Sequence, residues 1–121
     1  MKVLIVDDSL MDRRLLSSAL KKNNVLNEVL EAKDGQEGLK VLSENLQDIC
    51  LILLDWQMPN MNGIDFMKAV RQVPQAARIP IFMISASGSD ENKQQAREAN
   101  PDLAGYVVKP YSPVKLVELI R

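Results

Sequence analysis

Short aliphatic runs alternate along the chain with segments of helical periodicity. The short runs are rich in β-branched and other aliphatic side chains, which indicates β-strands. They occupy residues 2–6, 28–32, 49–54, 79–85 and 105–109. The continuous runs lack polar alternation, which is typical of strands buried on both faces of a parallel sheet.

Between these runs, apolar residues recur three and four positions apart, as on one face of a helix. A fourth, more polar helix is predicted over residues 89–99, where alanines form a thin apolar stripe. The other predicted faces comprise Leu15, Leu16, Ala19 and Leu20; Leu39, Leu42 and Leu46; Ile64, Met67 and Val70; and Val114, Val117 and Ile120.

Residues that favour helix starts precede these segments. Asn62-Gly63 alone would suggest a hairpin turn, but helical spacing follows it, so we interpret Asn62 as a helix N-cap. The other start signals are Ser9 followed by Asp12, Asp34 followed by Glu37, and Ser112 followed by Pro113.

Strands that alternate with helices predict an α/β fold. We expect a doubly wound, five-stranded parallel sheet flanked by five helices. A length of 121 residues suits one domain with one substantial core, so a single domain is expected over residues 1–121.

Polar residues stand where the predicted strands end. Asp7 and Asp8 follow the first strand, Asp55 the third, Ser85 closes the fourth and Lys109 the fifth. In open parallel sheets, ligands bind outside the carboxyl ends of the strands. We therefore expect these side chains to meet at one edge of the sheet.

Each of these residues also has an ordinary structural interpretation. Asp8 could cap a helix, Asp55 could be an acidic residue of a loop, Ser85 could begin a turn and Lys109 could be a solvent-exposed residue that flanks the strand. The joint pattern favours a site, because each group occupies the same end of a different strand.

Composition and charge exclude several classes of function. The net charge is −1 with acids and bases interspersed, so direct nucleic-acid binding is not expected. No apolar stretch approaches the length of a membrane span. Cys50 is the single cysteine, expected to be a buried small hydrophobe, and the chain is compatible with a reducing cytoplasm. Histidine is absent, which excludes Ser-His-Asp and Cys-His catalysis and the usual zinc-ligand sets.

Three clustered carboxylates would have a defined chemistry. Two carboxylates some 4 Å apart repel by roughly 1 kcal/mol in water and about 4 kcal/mol at an intermediate dielectric, so the group raises a pKa or recruits a cation. Oxygen ligands without histidine or cysteine favour Mg²⁺. The ammonium of Lys109 suits a phosphoryl oxygen, and a central carboxylate can act as a nucleophile that becomes an acyl phosphate.

With these residues in this order, and Pro110 after Lys109, the whole chain resembles the receiver domain of bacterial two-component response regulators. The pattern DW-MPNM-G around Asp55 and the sequence GYVVKP at 105–110 are most similar to the chemotaxis regulators of that family. The resemblance implies a flavodoxin-like sheet of strand order 2-1-3-4-5.

The resemblance also implies the roles of the acidic residues. Asp55 would be the phosphoacceptor. Asp7, Asp8 and Asp55, with the backbone carbonyl of Gln57, would bind Mg²⁺, for which Mn²⁺ could substitute.

Further roles follow from the same resemblance. Ser85 and Lys109 would hold the phosphoryl group, and Tyr106 would be an aromatic switch that moves inward when Ser85 moves toward the phosphate. Gln57 and Ser87 would tune the hydrolysis rate, and the peptide bond after Lys109 is expected to be cis. Tyr106 also has a plain interpretation, as a half-buried aromatic that only packs on an edge strand.

The implied partners are proteins. A histidine kinase or histidine phosphotransfer protein would donate the phosphoryl group in trans, because this chain has no histidine. A downstream target would dock on the face formed by helix 4, strand 5 and helix 5. The domain would be a monomer or a phosphorylation-dependent dimer that catalyses only its own phosphorylation and dephosphorylation. A stand-alone chemotaxis-type regulator and the receiver of a longer regulator both remain open.

Some positions depart from the family pattern. Asn62 stands where an aspartate is usual, and Ser85 replaces the commoner threonine while keeping the hydroxyl. The segment EANPDLAGY before the fifth strand is longer and more polar than usual, and Pro101 should end the fourth helix early.

Two rival functions come from other classes. An aspartyl phosphatase would need a second aspartate two residues after Asp55, where this chain has Gln57. A phosphorylation-independent pseudo-receiver would act only as a protein-docking module. Trp56, beside the predicted site, offers a fluorescence signal that separates the docking module from a Mg²⁺-binding receiver.

Overall fold

A computed structural model describes residues 1–25 and 27–120. Within these residues, five strands alternate with five helices. The strands are β1 (Lys2–Val6), β2 (Glu28–Ala32), β3 (Ile49–Asp55), β4 (Ile81–Ser85) and β5 (Gly105–Val108). The helices are α1 (Leu10–Lys22), α2 (Gly35–Glu44), α3 (Gly63–Arg71), α4 (Asp90–Ala99) and α5 (Pro113–Ile120).

All five strands form one parallel sheet in the order β2-β1-β3-β4-β5. The predicted fold class and strand order are therefore confirmed. The chain passes from β1 outward to β2 and then back to β3 on the other side of β1. This reversal opens a crevice at the carboxyl ends of β1 and β3, which is where such sheets bind ligands.

Helices cover both faces of the sheet, and each face has its own apolar cluster. On one face, α2, α3 and α4 pack through residues such as Leu42, Phe66 and Met67. On the other, α1 and α5 pack together through residues such as Leu20 and Leu116. The central strands contribute side chains to both clusters, which explains their continuous apolar sequences.

The predicted helix starts form as N-caps. Ser9, Asp34 and Asn62 each accept a hydrogen bond from the backbone N–H three residues later, at 3.2, 2.8 and 2.9 Å. The hairpin interpretation of Asn62 is excluded, because α3 begins at the next residue. Pro113 is the first residue of α5, as predicted.

In two of the predicted apolar helix faces, one residue is exposed instead of buried. Leu15 is 58% exposed and Val114 is 53% exposed. The buried stripe of α1 is centred between Leu16 and Leu20, which places Leu15 at its margin. In α5 the buried pair includes Leu116, which points almost opposite to Val114 at 100° per residue.

Some element boundaries differ from the prediction by one or two residues. β4 begins at Ile81 instead of Ile79, because the N–H of Ile79 donates to Ala76 in the preceding turn and Pro80 has no N–H. α4 begins after Ser89, which acts as its N-cap. The helix ends just before Pro101, as predicted.

The structure also bears on two further expectations, for Cys50 and for a membrane-spanning helix. Cys50 is half-buried instead of fully buried, and its thiol contacts the carbonyl oxygen of Lys2 at 3.4 Å. Among the described residues, no helix combines the length and the apolar character that crossing a membrane requires.

Candidate functional site

The strand ends bring the predicted polar residues together at one edge of the sheet. Asp7 follows β1 directly, Asp55 ends β3, Ser85 ends β4 and Lys109 follows β5. Asp7, Asp55 and Ser85 are buried, whereas Asp8 is exposed. Each of the central strands β1, β3 and β4 therefore positions one polar side chain at this edge of the sheet.

Three carboxylates form the centre of this edge. Asp7, Asp8 and Asp55 each place a carboxylate oxygen within 4.8 Å of the other two. This spacing suits joint coordination of one small cation by oxygen atoms. In the part of the chain that the structure describes, no other group of acids, cysteines or histidines has this arrangement.

Burial disfavours the ionised form of two of these acids and so raises their pKa values. Desolvation raises the pKa of Asp7 from 3.8 to about 6, and the negative charge of Asp55 adds to the effect, while the N–H of Ser9 opposes it. Burial also raises the pKa of Asp55, against the influence of Lys109. A bound cation would relieve both effects, so the electrostatics of the site fit a metal.

Lys109 is the cation of the site. Its Nζ lies 3.2 Å from Asp55 Oδ1, 3.2 Å from Asp12 Oδ2 and 3.7 Å from Asp7 Oδ2. Burial alone would lower the pKa of Lys109, but Asp55 and Asp7 outweigh it and raise the pKa above its usual value. The ammonium therefore stays charged at every physiological pH.

An open cleft of about 670 Å³ gives access to this centre. Asp55 faces it, so its carboxylate can be reached from solvent. The cleft is lined by Asp8, Asp55, Trp56, Gln57, Ser85, Ala86, Ser87, Asn92, Gln95 and Lys109. Thus the residues predicted as acceptor, hydroxyl and ammonium, and the two predicted to tune the rate, share one cavity.

The loop between β4 and α4 is held by hydrogen bonds around Ser87. The N–H of Ser87 donates to Ser85 Oγ at 3.1 Å, and Asn92 Nδ2 donates to Ser87 Oγ at 2.7 Å. The Tyr106 hydroxyl donates to the Ser87 carbonyl oxygen at 2.6 Å. The residue predicted to be a switch is thus linked through this loop to the predicted phosphoryl ligand.

Tyr106 is half-buried on the edge strand β5. Its ring packs edge-on against Trp56, with centroids 6.3 Å apart and an interplanar angle of 72°. Lys93 Nζ lies 6.0 Å from the centroid of the Tyr106 ring. Trp56 therefore contacts Tyr106 and adjoins Asp55 in the sequence, which makes its fluorescence a reporter of both residues.

The peptide bond between Lys109 and Pro110 is cis, as the resemblance implied.

The sequence did not reveal three contacts at this site. Asp12 pairs with Lys109, Asn92 holds the loop at Ser87, and Arg13 Nη1 donates to the carbonyl oxygen of Asp7 at 2.6 Å. All three lie on helices, where the sequence pattern fixes the apolar face but not the neighbour of a polar side chain. The signal available was that Asp12 lies in the first turn of the helix that follows Asp7 and Asp8, close to the carboxyl end of β1.

Comparisons with known proteins agree with this geometry. The model of the response regulator receiver domain family matches residues 3–121. The chemotaxis protein CheY1 of Helicobacter pylori is 38% identical over 121 residues, which is 100% of this chain and 94% of that protein. The phosphate regulon transcriptional regulatory protein PhoB of Pseudomonas aeruginosa is 35% identical over 98% of this chain and 49% of its own length.

A solved structure is also similar over nearly its whole length. The chemotaxis response regulator CheY4 of Vibrio cholerae superposes with a TM-score of 0.87 at 35% sequence identity, covering 98% of this chain and 94% of that one. The similarity includes the whole sheet and therefore the edge at which the site lies.

Proposed function

The chain belongs to the response regulator receiver domain family of two-component signalling, and on that premise we propose that it accepts a phosphoryl group on Asp55. One observation carries the assignment. The Asp55 carboxylate lies in an open cleft, within 4.8 Å of two further carboxylates and 3.2 Å from the ammonium of Lys109. We take residues 1–121 as one receiver domain.

We propose that Asp7, Asp8 and Asp55, with the backbone carbonyl of Gln57, hold Mg²⁺, or Mn²⁺ in its place. The support is the cluster of oxygen ligands and the raised pKa values of Asp7 and Asp55. The bound ion would supply positive charge against the oxygens of the transferring phosphoryl group.

The proposed transfer proceeds by nucleophilic attack. A carboxylate oxygen of Asp55 attacks the phosphorus atom of a phosphohistidine on a partner, the P–N bond breaks, and the imidazole nitrogen keeps the electron pair. Lys109 neutralises charge on the phosphoryl oxygens, and the Ser85 hydroxyl donates to one of them. Water later attacks the same phosphorus, the P–O bond to Asp55 breaks, the Asp55 carboxylate keeps the electron pair, and the phosphoryl group leaves as inorganic phosphate.

The donor is proposed to be a histidine kinase or histidine phosphotransfer protein that acts in trans, since this chain has no histidine. The domain catalyses only its own phosphorylation and dephosphorylation. We place it in the cytoplasm, as a monomer or as a dimer that forms on phosphorylation.

The phosphoryl group would then act on the loop that Ser87 anchors. When the Ser85 hydroxyl turns toward phosphate, its bond from the Ser87 N–H is lost, and the loop can move away from Tyr106. Tyr106 then moves inward and changes the face formed by α4, β5 and α5, where a downstream protein binds. Gln57 and Ser87 line the cleft and would tune access of the hydrolytic water.

The proposal is tested by phosphoryl transfer. With Mg²⁺ and a phosphohistidine-bearing phosphotransfer protein, the wild-type chain should take up labelled phosphate, and Asp55→Asn should take up none. Asp65→Asn is the matched control, because it removes an exposed carboxylate on α3. Label on Asp55→Asn protein would refute the assignment.

The fluorescence of Trp56 separates this function from the docking module. Its signal should change on Mg²⁺ addition and again when beryllofluoride, a phosphoryl analogue, is added. A flat titration would favour a pseudo-receiver that acts without phosphorylation.

A further inference from the structure

Asp12 contacts the ammonium of Lys109 in addition to Asp55, from the first helix instead of from a strand end. It lies in the first turn of α1, and its Oδ2 is 3.2 Å from Lys109 Nζ. Its side chain is 38% exposed, against 10% for that of Asp55. Asp12 is outside the three-carboxylate cluster, so its role is separate from metal binding.

Two of the three donors of Lys109 are hydrogen-bonded in this state, one to Asp55 and one to Asp12. An ammonium has three N–H groups, and Nζ lies near three carboxylates, at 3.2 Å from Asp55, 3.2 Å from Asp12 and 3.7 Å from Asp7. Asp55 is the proposed phosphoacceptor, and Asp7 is a proposed metal ligand. Asp12 has neither role and still engages one donor of the lysine.

Lys109 also lines two cavities. One is the open cleft that contains Asp55. The other is a groove of about 400 Å³ that Asp12 lines together with Leu15 and Tyr111. The ammonium is therefore attracted toward the cleft by Asp55 and toward the groove by Asp12.

We propose that Asp12 is a positioning residue that competes with the phosphoryl group for Lys109. The inference rests on the proposed function, because it concerns the same lysine and the same phosphoryl group. Once phosphate is attached to Asp55, Asp12 keeps part of the hydrogen bonding of Lys109 and weakens the hold of the lysine on the phosphoryl oxygens. The phosphorylated state is then less favourable than in a chain that lacks this acid.

The size of the effect follows from the exposure of the pair. Solvent-exposed ion pairs contribute little, and at the upper end of their range they change an equilibrium by a factor of about two to five. Asp12→Asn removes the charge and keeps the shape of the side chain. We therefore expect it to bind beryllofluoride about two- to five-fold more tightly in excess Mg²⁺, as measured by Trp56 fluorescence.

Two variants serve as controls. Asp12→Glu restores a carboxylate and should bind within a factor of two of wild type. Asp102→Asn removes an acid that pairs with Arg71 at 3.6 Å, at the opposite end of the strands, and should bind as wild type does. If Asp12→Asn binds no more tightly than wild type, or Asp102→Asn produces the same gain, the proposal is wrong.

A second readout tests whether Asp12 acts through Lys109. In crystals of the Mg²⁺–beryllofluoride complexes, wild-type Lys109 should contact both Asp12 and a fluorine, and in Asp12→Asn it should shift toward the fluorines. An unchanged lysine would contradict the proposal and indicate direct repulsion by the Asp12 charge. If wild-type protein binds no beryllofluoride at all, the proposed function itself fails; if it binds and Asp12→Asn matches it, only the present inference fails.

Discussion

Among the residues of the site, Asp7 is the acid whose surroundings oppose its charge most clearly. It is 2% exposed, and burial raises its pKa to about 6. In the unfolded chain the pKa would return toward 3.8, so between these values the folded state binds more protons. The metal-free protein should therefore lose stability as the pH rises from about 4 to about 6, and the loss should be complete above that range.

The first prediction is that Asp7→Asn stabilises the metal-free protein. A shift of about two pKa units corresponds to at most about 3 kcal/mol, so we expect the free energy of unfolding at pH 7.5 to increase by about 1 to 3 kcal/mol. Urea denaturation in a chelator measures it. The gain should shrink as the pH falls and disappear well below pH 3.8, where Asp7 is protonated in both states.

Asp8→Asn provides the control for this prediction, because Asp8 is exposed and its charge is already solvated. It should give a smaller gain than Asp7→Asn. An equal gain from both variants would mean that net charge, and not burial of Asp7, sets the stability.

At the scale of single elements, the apolar runs predicted each strand because central strands of a parallel sheet are buried on both faces. The ends were less predictable, since Ile79 is apolar and yet belongs to the turn before β4. Helix faces followed periodicity in α3, where Ile64 and Met67 are buried, but periodicity overestimated the burial of Leu15 and Val114. Whether a residue at the margin of a helix face is buried depends on where the neighbouring helix packs. The spacing of apolar residues in the sequence does not determine that position.

The second prediction concerns the junction of β3 with α3. A Cβ on Gly63 would lie 2.7 Å from the carbonyl oxygen of Asp55 and 3.0 Å from the Cα of Trp56. Since backbone atoms must move to admit it, Gly63→Ala should lower the free energy of unfolding by about 1 to 3 kcal/mol. It should also weaken Mg²⁺ binding, measured by titration, because the end of β3 positions Asp55.

Gly88→Ala is the comparison for this junction. Its Cβ would meet only side-chain atoms of Val108, the nearest a methyl at 3.1 Å, and should change stability by less than about 1 kcal/mol. Normal Mg²⁺ affinity in Gly63→Ala would show that this close approach does not position the carboxylate.

The third prediction concerns the unusual segment between α4 and β5. Asn100 is 4% exposed, and its Oδ1 accepts from Arg71 Nη1 at 3.0 Å and from the Asp102 N–H at 3.1 Å. Asn100→Ala removes the acceptor of both hydrogen bonds, which leaves the Asp102 N–H without this partner and Arg71 Nη1 with only its exposed ion pair to Asp102. It should therefore destabilise the protein by about 1 to 3 kcal/mol in urea denaturation.

Asp102→Asn breaks only an exposed ion pair with Arg71 and should stay within about 0.5 kcal/mol of wild type. If Asn100→Ala is equally mild, the segment is not held by this buried amide, and its order must come from elsewhere.

At the scale of the whole molecule, the positions of Asp7, Asp55, Ser85 and Lys109 were predictable because fold topology alone brings strand ends together. The contribution of Asp12 was not, since a polar residue on a helix acquires its partner only through tertiary packing, here the packing of α1 against α5 that leaves Asp12 at 3.2 Å from Lys109. The hydrogen bonds around the β4–α4 loop are likewise tertiary. Sequence order thus predicts which groups meet, and packing decides how the ammonium is shared among them.

The fourth prediction is that Mg²⁺ stabilises the whole fold. A ligand that binds only the folded state adds about 2.7 kcal/mol at a hundred times its dissociation constant. The thermal midpoint should therefore rise with Mg²⁺ concentration, and the rise should be lost in Asp55→Asn. An equal rise in that variant would place the ion elsewhere on the molecule.

The central claim is that Asp55 itself becomes the acyl phosphate, and chemical trapping tests it most directly. The protein is incubated with acetyl phosphate and Mg²⁺ and then reduced with borohydride, which converts a phosphorylated aspartate into homoserine that peptide mass spectrometry can locate. We predict homoserine at position 55, dependent on Mg²⁺. Reduction at another residue, or an unmodified Asp55 in protein that binds Mg²⁺ and has reacted with acetyl phosphate, would contradict the account.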